Sequence, residues 1–269
     1  MVFTTRSKAV KETKLAYLGM VGSSAKIEKN QKKNVDTFVL YLAPASKSGY
    51  NVCPMATGGD GITVGCIDAC LDESGRNGVM SIKNQTIDNA RIKKTKMFFE
   101  DRAFFMAWLV AEITAHKAKS EKNGHEFSVR INGTSDLSLE IFKHGDKTIL
   151  ELFPDTQFYD YTKVLNRVKV VKVVNKYKNY DITFSYSGNN WLECESALAQ
   201  GVRLAVVFEK RLPKTYMGIK VVNADETDLR YLEPNNIICG LIHKKTRKKI
   251  IYGEQSFIIA DTDTNCVYE

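Results

Sequence analysis

Three cysteines, Cys53, Cys66 and Cys70, fall within one short glycine-rich stretch of the sequence. Their spacing is Cys-x12-Cys-x3-Cys, and they are half of the six cysteines in the chain. Thiolates are soft ligands that favour zinc or iron-sulfur clusters over hard cations. Three protein ligands would leave a coordination position open, unless a fourth such as Cys194 closes it. We expect Cys53, Cys66 and Cys70 to bind zinc or an iron-sulfur cluster; the alternative is a redox or purely structural role of the thiols.

Two aspartates and one lysine lie at the ends of predicted strands. Asp136 closes "RINGTSD", Asp225 lies in "NADETD", and Lys163 ends "FYDYTK". Two carboxylates on different strands can divide acid–base or nucleophilic work when their pKa values differ. Lys163 could contact a phosphate or a carboxylate. We take Asp136, Asp225 and Lys163 as candidate catalytic residues; the alternatives are a capping or turn role for the aspartates and a surface position for the lysine.

Strands and helices alternate along the chain and must position these residues. Apolar, β-branched or aromatic runs predict strands at "DTFVLYLAPAS", "EFSVRINGTSD", "QFYDYTK", "YDITFSYSG", "VRLAVVFE", "GIKVVNAD" and "NIICGLIHK". Helical spacing fills most of the intervals, with two helices separated at "EDR" before Gly124. The alternation indicates βαβ units and a parallel sheet. We predict an α/β fold, a complete or partial TIM-like parallel β/α barrel, with a doubly wound open sheet as the alternative.

The barrel prediction also locates the site. Active sites of such folds gather at the carboxyl ends of the strands, and here those ends carry the cysteine stretch and the polar runs "NGTSD", "SGNN" and "NADETD". The chain has no Pro/Gly/Ser linker and no internal repeat, so we expect one domain over residues 1–269. Within it we expect a basic N-terminal segment at about residues 1–34 and a C-terminal extension at about residues 245–269.

The sequence carries a formal net charge of +8, which favours a polyanionic partner. The basic residues recur in short runs such as "ARIKKTK" and "HKKTRKK". We expect nucleic acid as the partner, with DNA favoured over RNA; the alternative is an ordinary solvated surface. The candidate nucleic-acid-binding residues are Arg91, Lys93, Lys94, Lys96, Arg130, Lys244 and Lys245.

No apolar run approaches the roughly 20 residues that span a bilayer, and "MVFTTRSKAVKETK" lacks the apolar core of a signal peptide. We therefore expect no membrane partner and a cytoplasmic location. The sequence also lacks a Walker A motif, a dinucleotide glycine fingerprint and a Gly-x-Ser-x-Gly elbow.

Several of these motifs together resemble a known family. The "CP" pair followed by "GC-x3-C", then "RINGTSD", "FYDYTK" and "ITFSYSG", resembles poorly characterised phage and plasmid proteins built around a three-cysteine loop. The resemblance spans roughly residues 35–245, and it implies that the cytoplasm is that of an infected host cell if the protein is of phage origin. The chain is also distantly similar to radical SAM enzymes, in which three cysteines after the first barrel strand hold an iron-sulfur cluster. Its first gap is longer than their usual Cys-x3-Cys-x2-Cys spacing. This similarity implies S-adenosylmethionine as a co-substrate.

A weaker similarity links "SDLSLEIF" to tRNA-guanine transglycosylases and their phage DNA counterparts, which act on a TIM barrel. It implies Asp225 as nucleophile and Asp136 as the base-recognising or acid residue. Our leading hypothesis is a phage-type nucleic-acid-modifying enzyme with a radical-SAM-like three-cysteine centre. The alternatives are a DNA 7-deazaguanine transglycosylase and a non-catalytic nucleic-acid-binding protein whose metal is structural.

Overall fold

The computed structural model describes residues 2–19, 25–57, 64–68, 85–174, 177–244 and 256–268. These residues form two compact units, one of Met1–Cys53 with Val79–Asp160 and one of Pro54–Gly78 with Tyr161–Glu269. The expectation of a single domain over residues 1–269 stays a prediction. No helix within the described ranges is long and apolar enough to cross a bilayer.

The first unit has a parallel sheet in the order β1-β2-β5. Its strands are β1 (Val35–Val39), β2 (Glu126–Arg130) and β5 (Gln157–Thr162). The last two residues of β5, Tyr161 and Thr162, belong to the second unit. Val35 to Val39 of β1 pair in register with Glu126 to Arg130 of β2. Parallel neighbours place their carboxyl ends at the same edge of the sheet. The loops that follow β1 and β2 therefore leave from one edge.

Among its described residues, the first unit also contains six helices, a two-stranded antiparallel hairpin and two short 3-10 turns. The helices are α1 (Arg6–Thr13), α2 (Ala25–Asn30), α3 (Ala45–Ser48), α4 (Thr86–Glu100), α5 (Arg102–Lys122) and α6 (Ile149–Leu152). The hairpin is formed by β3 (Lys143–His144) and β4 (Lys147–Thr148), and the 3-10 turns are Gln31–Lys33 and Leu139–Ile141.

The long helix α5 forms much of the core of the first unit. Asp101 begins it as an N-cap, because its carboxylate accepts a hydrogen bond from the amide of Phe104 at 3.1 Å. Phe105, Trp108 and Ile113 are all fully buried on it. The break predicted at "EDR" is therefore confirmed: Asp101 separates α4 from α5.

The second unit has a sheet in the order β6-β7-β10-β9-β8-β12. The pairs β6–β7, β7–β10 and β10–β9 are parallel, and β11 adds a further parallel partner to β7. The pairs β9–β8 and β8–β12 are antiparallel. The strands are β6 (Tyr180–Ser185), β7 (Leu204–Phe208), β8 (Thr215–Tyr216), β9 (Ile219–Asn223), β10 (Ile238–Ile242), β11 (Ile258–Ile259) and β12 (Cys266–Val267).

The described residues of the second unit include the helices α7 (Leu165–Lys169), which continues into a π-helical turn at Val170–Val174, and α8 (Trp191–Ala199). A 3-10 turn at Arg230–Leu232 lies between β9 and β10. Each of the seven predicted strand segments contains a strand of the structure. The predicted α/β class with a mostly parallel sheet is thus confirmed.

The predicted barrel closure is not confirmed. Within the described residues of each unit, the strand order does not return to its first strand. In the first unit, the outer edge of β1 is occupied by the N-terminal segment, where Gly19 and Val39 exchange backbone hydrogen bonds at 2.8 and 3.1 Å. In the second unit, antiparallel β8 and β12 extend the sheet where a barrel needs parallel strands. The open-sheet alternative agrees better with both units.

Candidate functional site

The loops after β1 and β2 are joined at the carboxyl edge of the first unit. The hydroxyl of Thr134 accepts a hydrogen bond from the amide of Leu42 and donates one to its carbonyl, at 3.1 and 2.7 Å. The amide of Asp136 donates to the carbonyl of Val52 at 2.8 Å. These bonds hold residues 131–138 against residues 40–53. Polar side chains from two different strand ends are thereby fixed in one place.

Gly133 permits this close approach. A Cβ atom at this position would lie 2.4 Å from Val39 Cγ1 and 2.9 Å from the carbonyl oxygen of Leu40. Both distances are shorter than a van der Waals contact. The Leu40 oxygen belongs to the backbone, so it cannot move aside as a side chain could. The amide of Gly133 also donates to the carbonyl of Leu40 at 2.9 Å. The glycine of "INGTSD" is therefore required by packing against the end of β1.

Cys53 lies at this joined edge. Its thiol is 3.7 Å from the carbonyl oxygen of Thr134, and its amide donates to the side chain of Asn51 at 3.0 Å. The side chain of Cys53 is half-buried, which leaves part of it accessible. The sulfur and the loop that carries Asp136 thus belong to the same part of the first unit.

Of the other two predicted metal ligands, only Cys66 lies within the described residues. Cys66 is half-buried in a turn and packs against the cluster of Phe257 and Ile258. Cys70 lies outside the described residues. Over the described ranges, no group of three or more His, Cys, Asp or Glu side chains is placed to hold a metal ion. The metal or cluster expected at Cys53, Cys66 and Cys70 stays a prediction, because one of its three ligands is not described.

A buried carboxylate organises the loop after β2. Asp160, on β5, is fully buried and accepts hydrogen bonds from the backbone amide and the side-chain amide of Asn132, at 2.8 and 3.0 Å. The side-chain oxygen of Asn132 in turn accepts from the hydroxyl of Ser135 at 2.7 Å and from the amide of Leu137 at 3.0 Å. The loop that carries Asp136 is therefore fixed from inside by Asp160.

Sequence reasoning did not select Asp160 or Asn132 as site residues. The available signal was an aspartate inside the apolar strand "QFYDYT", since a buried acidic group needs hydrogen-bond donors. The chosen aspartate of this loop, Asp136, has a half-buried side chain.

The remaining candidate catalytic residues belong to the second unit. Asp225 follows β9, and its carboxylate accepts a hydrogen bond from the amide of Ile242 at 2.8 Å. Its own amide donates to the side chain of Asn223 at 3.0 Å. Asp225 therefore ties the end of β9 to the end of β10. Lys163 follows β5 and is half-buried. Asp136 and Asp225 lie in different units.

The predicted basic residues differ in exposure. On α4, Lys93 and Lys96 are exposed, whereas Arg91 and Lys94 are buried, with exposed fractions of 9% and 5%. Arg130 is half-buried, Lys244 is exposed, and Lys245 lies outside the described residues. Only part of the run "ARIKKTK" therefore presents its charge to solvent. The helix turns its other cations inward.

The inward face of α4 meets the end of β1. The hydroxyl of Thr95 accepts a hydrogen bond from the amide of Ala43 at 2.9 Å. One turn earlier, the guanidinium of Arg91 lies over the ring of Tyr41, 4.8 Å from its centroid. Since Tyr41 also contacts the position of Gly133, the Arg91 cation belongs to the same edge as the loop after β2.

Lys94 is the most deeply buried of these cations. Its ammonium nitrogen lies 5.9 Å from the ring centroid of Trp108 on α5. Burial, together with the nearby positive charge of Arg91, lowers the pKa of Lys94 to about 8, and the carboxylate of Glu112 opposes the shift. An amine with this pKa is still mostly protonated at neutral pH.

Glu112 is the centre of a second buried network on α5. Its two oxygens accept from the side chain of Arg6 at 2.9 Å and from the amide of Leu18 at 3.0 Å. The ring nitrogen of His116 lies 3.4 Å from it. Burial acts to raise the pKa of Glu112, but hydrogen bonds from His116, the Leu18 amide and Arg6 outweigh it and lower the pKa. This network attaches the N-terminal segment to α5.

Comparison with known proteins identifies one family. The family model described as "Gene product 88" matches residues 10–256. No curated protein and no solved structure matches the chain. The similarities to radical SAM enzymes and to transglycosylases therefore gain no support from these comparisons. The resemblance to phage proteins with a three-cysteine loop is confirmed at the coarser level of a phage-type family. Because the match covers most of the sequence, this chain belongs to the Gene product 88 family.

Proposed function

We propose that this protein is an enzyme that modifies nucleic acid, with its reaction site at the carboxyl ends of β1, β2 and β5. The observation that carries the proposal is the convergence at this edge of the Cys53 thiol, the loop of Asp136 and the buried Asn132–Asp160 pair. A reactive site needs side chains held in fixed positions, and buried hydrogen bonds to Asp160 provide that fixation.

The chemistry of these groups matches the proposal. Cys53 supplies a partly accessible sulfur that can ligate a soft metal or act as a nucleophile. Asp136 supplies a carboxylate that can accept a proton. The exposed Lys93 and Lys96 on α4 can contact phosphates of a nucleic acid backbone. Zinc or an iron-sulfur cluster at the cysteines, with S-adenosylmethionine as co-substrate, remains part of the proposal.

The test uses living cells, because they supply every cofactor and substrate. The full chain is expressed in a bacterium, total DNA and total RNA are digested separately, and their nucleosides are compared by mass spectrometry. We expect a new nucleoside in one of the two pools, and its loss in cells that express Cys53→Ser or Asp136→Asn. Cys266→Ser and Asp155→Asn, at comparable expression, serve as matched controls. Absence of any new nucleoside with the unmodified chain would overturn the proposal.

A non-catalytic nucleic-acid-binding protein is the second candidate, favoured by the exposed Lys93 and Lys96 one turn apart on α4. It predicts binding whose affinity falls steeply with salt, because phosphate contacts release counterions. Binding without any altered nucleoside would favour this candidate.

For base exchange through Asp225, no observation adds support, because its carboxylate accepts a hydrogen bond from the backbone amide of Ile242.

A further inference from the structure

The ring of Tyr41, which follows the end of β1, is packed between two glycines that lie far apart in the sequence. A Cβ atom at Gly19 would lie 2.5 Å from Cε2 and 2.9 Å from Cδ2 of this ring. A Cβ atom at Gly133 would lie 2.8 Å from Cδ1, on the opposite edge. Carbon atoms in contact are about 3.5–4.0 Å apart, so a side chain at either position would collide with the ring. Tyr41 is therefore held along both edges by backbone that carries no side chain.

Gly19 belongs to the N-terminal residues 2–19, which β1 and α5 hold in place. Its amide donates to the carbonyl of Val39 at 2.8 Å, and its carbonyl accepts from the amide of Val39 at 3.1 Å. The neighbouring amide of Leu18 donates to the buried carboxylate of Glu112 on α5 at 3.0 Å. These bonds fix the position of Gly19 against one edge of the ring.

Gly133 belongs to the loop after β2. Its amide donates to the carbonyl of Leu40 at 2.9 Å, so its backbone lies directly against the chain that leads into Tyr41. From α4, the guanidinium of Arg91 lies over the ring of Tyr41, 4.8 Å from its centroid, which is a cation–π distance. One side chain thus contacts the N-terminal residues, the loop after β2 and helix α4.

A ring that is packed in this way couples the segments on its two edges. Dense packing transmits displacements, because there is little empty space to absorb them. A displacement of Gly19 toward the ring therefore pushes Tyr41 against the backbone of Gly133. Detachment of residues 2–19 removes the support of the ring on one edge, and the loop after β2 then packs against a side chain that can move.

We infer that Tyr41 is a positioning residue, which makes the conformation of the loop after β2 depend on the attachment of residues 2–19. This loop carries Asp136, so the N-terminal residues control the placement of that carboxylate at the edge where we propose the reaction site. The role in a reaction rests on the proposed function, whereas the coupling through Tyr41 rests only on the packing. Coupling between two sites is reciprocal, so a change at Gly133 must also loosen Gly19.

Amide hydrogen exchange of the full chain, followed residue by residue by NMR, tests the coupling. Gly19→Ala places a methyl group against the ring, and we expect the amide of Gly133 to exchange at least about tenfold faster than in the wild type, because the loop opens more often. Gly133→Ala should accelerate exchange at Gly19 in return. Acceleration confined to the substituted segment, in either variant, would overturn the inference.

Variants of Tyr41 show whether the ring carries the coupling. Tyr41→Leu removes the ring and should accelerate exchange at both glycines, whereas Tyr41→Phe removes only the hydroxyl and should exchange as the wild type does. Tyr50→Leu is the matched control, because this half-buried tyrosine also follows β1 but stacks on Phe99 of α4, with ring centroids 4.6 Å apart.

A double variant and a fold check complete this comparison. In the Tyr41→Leu background, Gly19→Ala should have no further effect on exchange at Gly133, and an undiminished further effect would overturn the role of Tyr41. Circular dichroism checks that each variant folds. If a glycine variant does not fold, Tyr41→Leu and Tyr41→Phe still decide the inference, because equal exchange at Gly133 in these two proteins would overturn it.

The nucleoside assay in cells then tests the positioning role. Tyr41→Leu should lower the amount of the new nucleoside at least about tenfold at comparable expression, because a displaced reactive group loses its alignment. Tyr41→Phe and Tyr50→Leu should retain it. Faster exchange in the loop with an unchanged nucleoside yield would overturn the positioning role. If the unmodified chain forms no new nucleoside, the proposed function fails, and the exchange data alone decide the coupling.

Discussion

The carboxylate of Asp160 on β5 accepts two hydrogen bonds from Asn132, one from its backbone amide at 2.8 Å and one from its side-chain amide at 3.0 Å. The two residues are 28 positions apart, and the pairing of β2 with β5 brings them together. Through Asn132, the bond extends to Ser135 and Leu137. A carboxylate that is fully buried therefore sets the conformation of the loop that carries Asp136.

We predict that Asp160→Ala lowers the free energy of unfolding by about 3 kcal/mol, because the substitution leaves buried amide donors without an acceptor. Urea unfolding followed by circular dichroism measures the change. Asp155→Ala is the matched control: this aspartate is exposed just before β5, and its loss should cost less than about 0.5 kcal/mol. Equal stabilities of the two variants would contradict the assigned role of Asp160.

Glu112→Gln should destabilise the protein by about 2 kcal/mol, because it weakens the hydrogen bonds that the fully buried carboxylate accepts from half-buried Arg6 and from the amide of Leu18, and with them the attachment of the N-terminal segment. Glu121→Gln on the same helix provides the comparison, because this partly exposed carboxylate lies 3.9 Å from Lys117 and such pairs contribute at most about 1 kcal/mol.

Acid should weaken the same network. The folded pKa of Glu112 is lowered, so its contribution is fully present above the ordinary glutamate pKa of about 4.3 and is lost as the pH falls through the folded value. Melting temperatures of the wild type and Glu112→Gln, measured from pH 7 to acid, should therefore converge at low pH. A constant difference across this range would be inconsistent with an ionised, hydrogen-bonded Glu112.

Lys94 gives the opposite dependence on pH. Its folded pKa of about 8 lies below the unfolded value of about 10.4, so charged Lys94 destabilises the fold at neutral pH. The cost is complete below about pH 8 and is relieved as the pH rises toward 10.4. Lys94→Met should therefore be more stable than the wild type at pH 7, and this advantage should shrink by about 2 kcal/mol at pH 10.

The difference in unfolding free energy between the wild type and Lys94→Met isolates the contribution of Lys94. Tyrosines titrate in the same pH range, but both proteins contain them. Urea unfolding at pH 7, 8.5 and 10 provides the measurement, and Lys93→Met is the exposed control. If Lys94→Met were less stable than the wild type at neutral pH, the result would contradict the lowered pKa of Lys94.

Gly133→Ala should cost about 2 kcal/mol or more, because its methyl group would overlap Val39 Cγ1 and the backbone of Leu40. The double variant Val39→Ala/Gly133→Ala removes the closest contact, so its loss of stability should be smaller than the sum of the two single losses. Simple additivity in urea unfolding would show that the two positions do not meet.

If Cys53 binds a metal or cluster, then the full chain purified without oxygen should contain zinc or iron, and Cys53→Ser should lower the metal content per chain. Cys266→Ser replaces another half-buried cysteine and should leave the content unchanged. Elemental analysis and the visible spectrum distinguish zinc from an iron-sulfur cluster. A metal-free wild-type protein would remove this part of the proposed function.

The sequence by itself determined the local elements. Each of the seven predicted strand segments contains a strand, and the capping aspartate at "EDR" separates two helices, because apolar periodicity and capping depend on residues close together in the chain. The need for glycine at position 133, which is its close approach to Val39 and Leu40, was not visible in the sequence.

Only the tertiary structure decided which strands are neighbours and which charges are buried. The predicted barrel closure is not confirmed over the described residues, because edge pairing depends on segments far apart in sequence, such as Gly19 against Val39. The run "ARIKKTK" reads as an exposed basic face, yet packing of α4 on α5 buries Lys94 beside Trp108. Burial is a property of the assembled core, so a residue's charge alone could not reveal it.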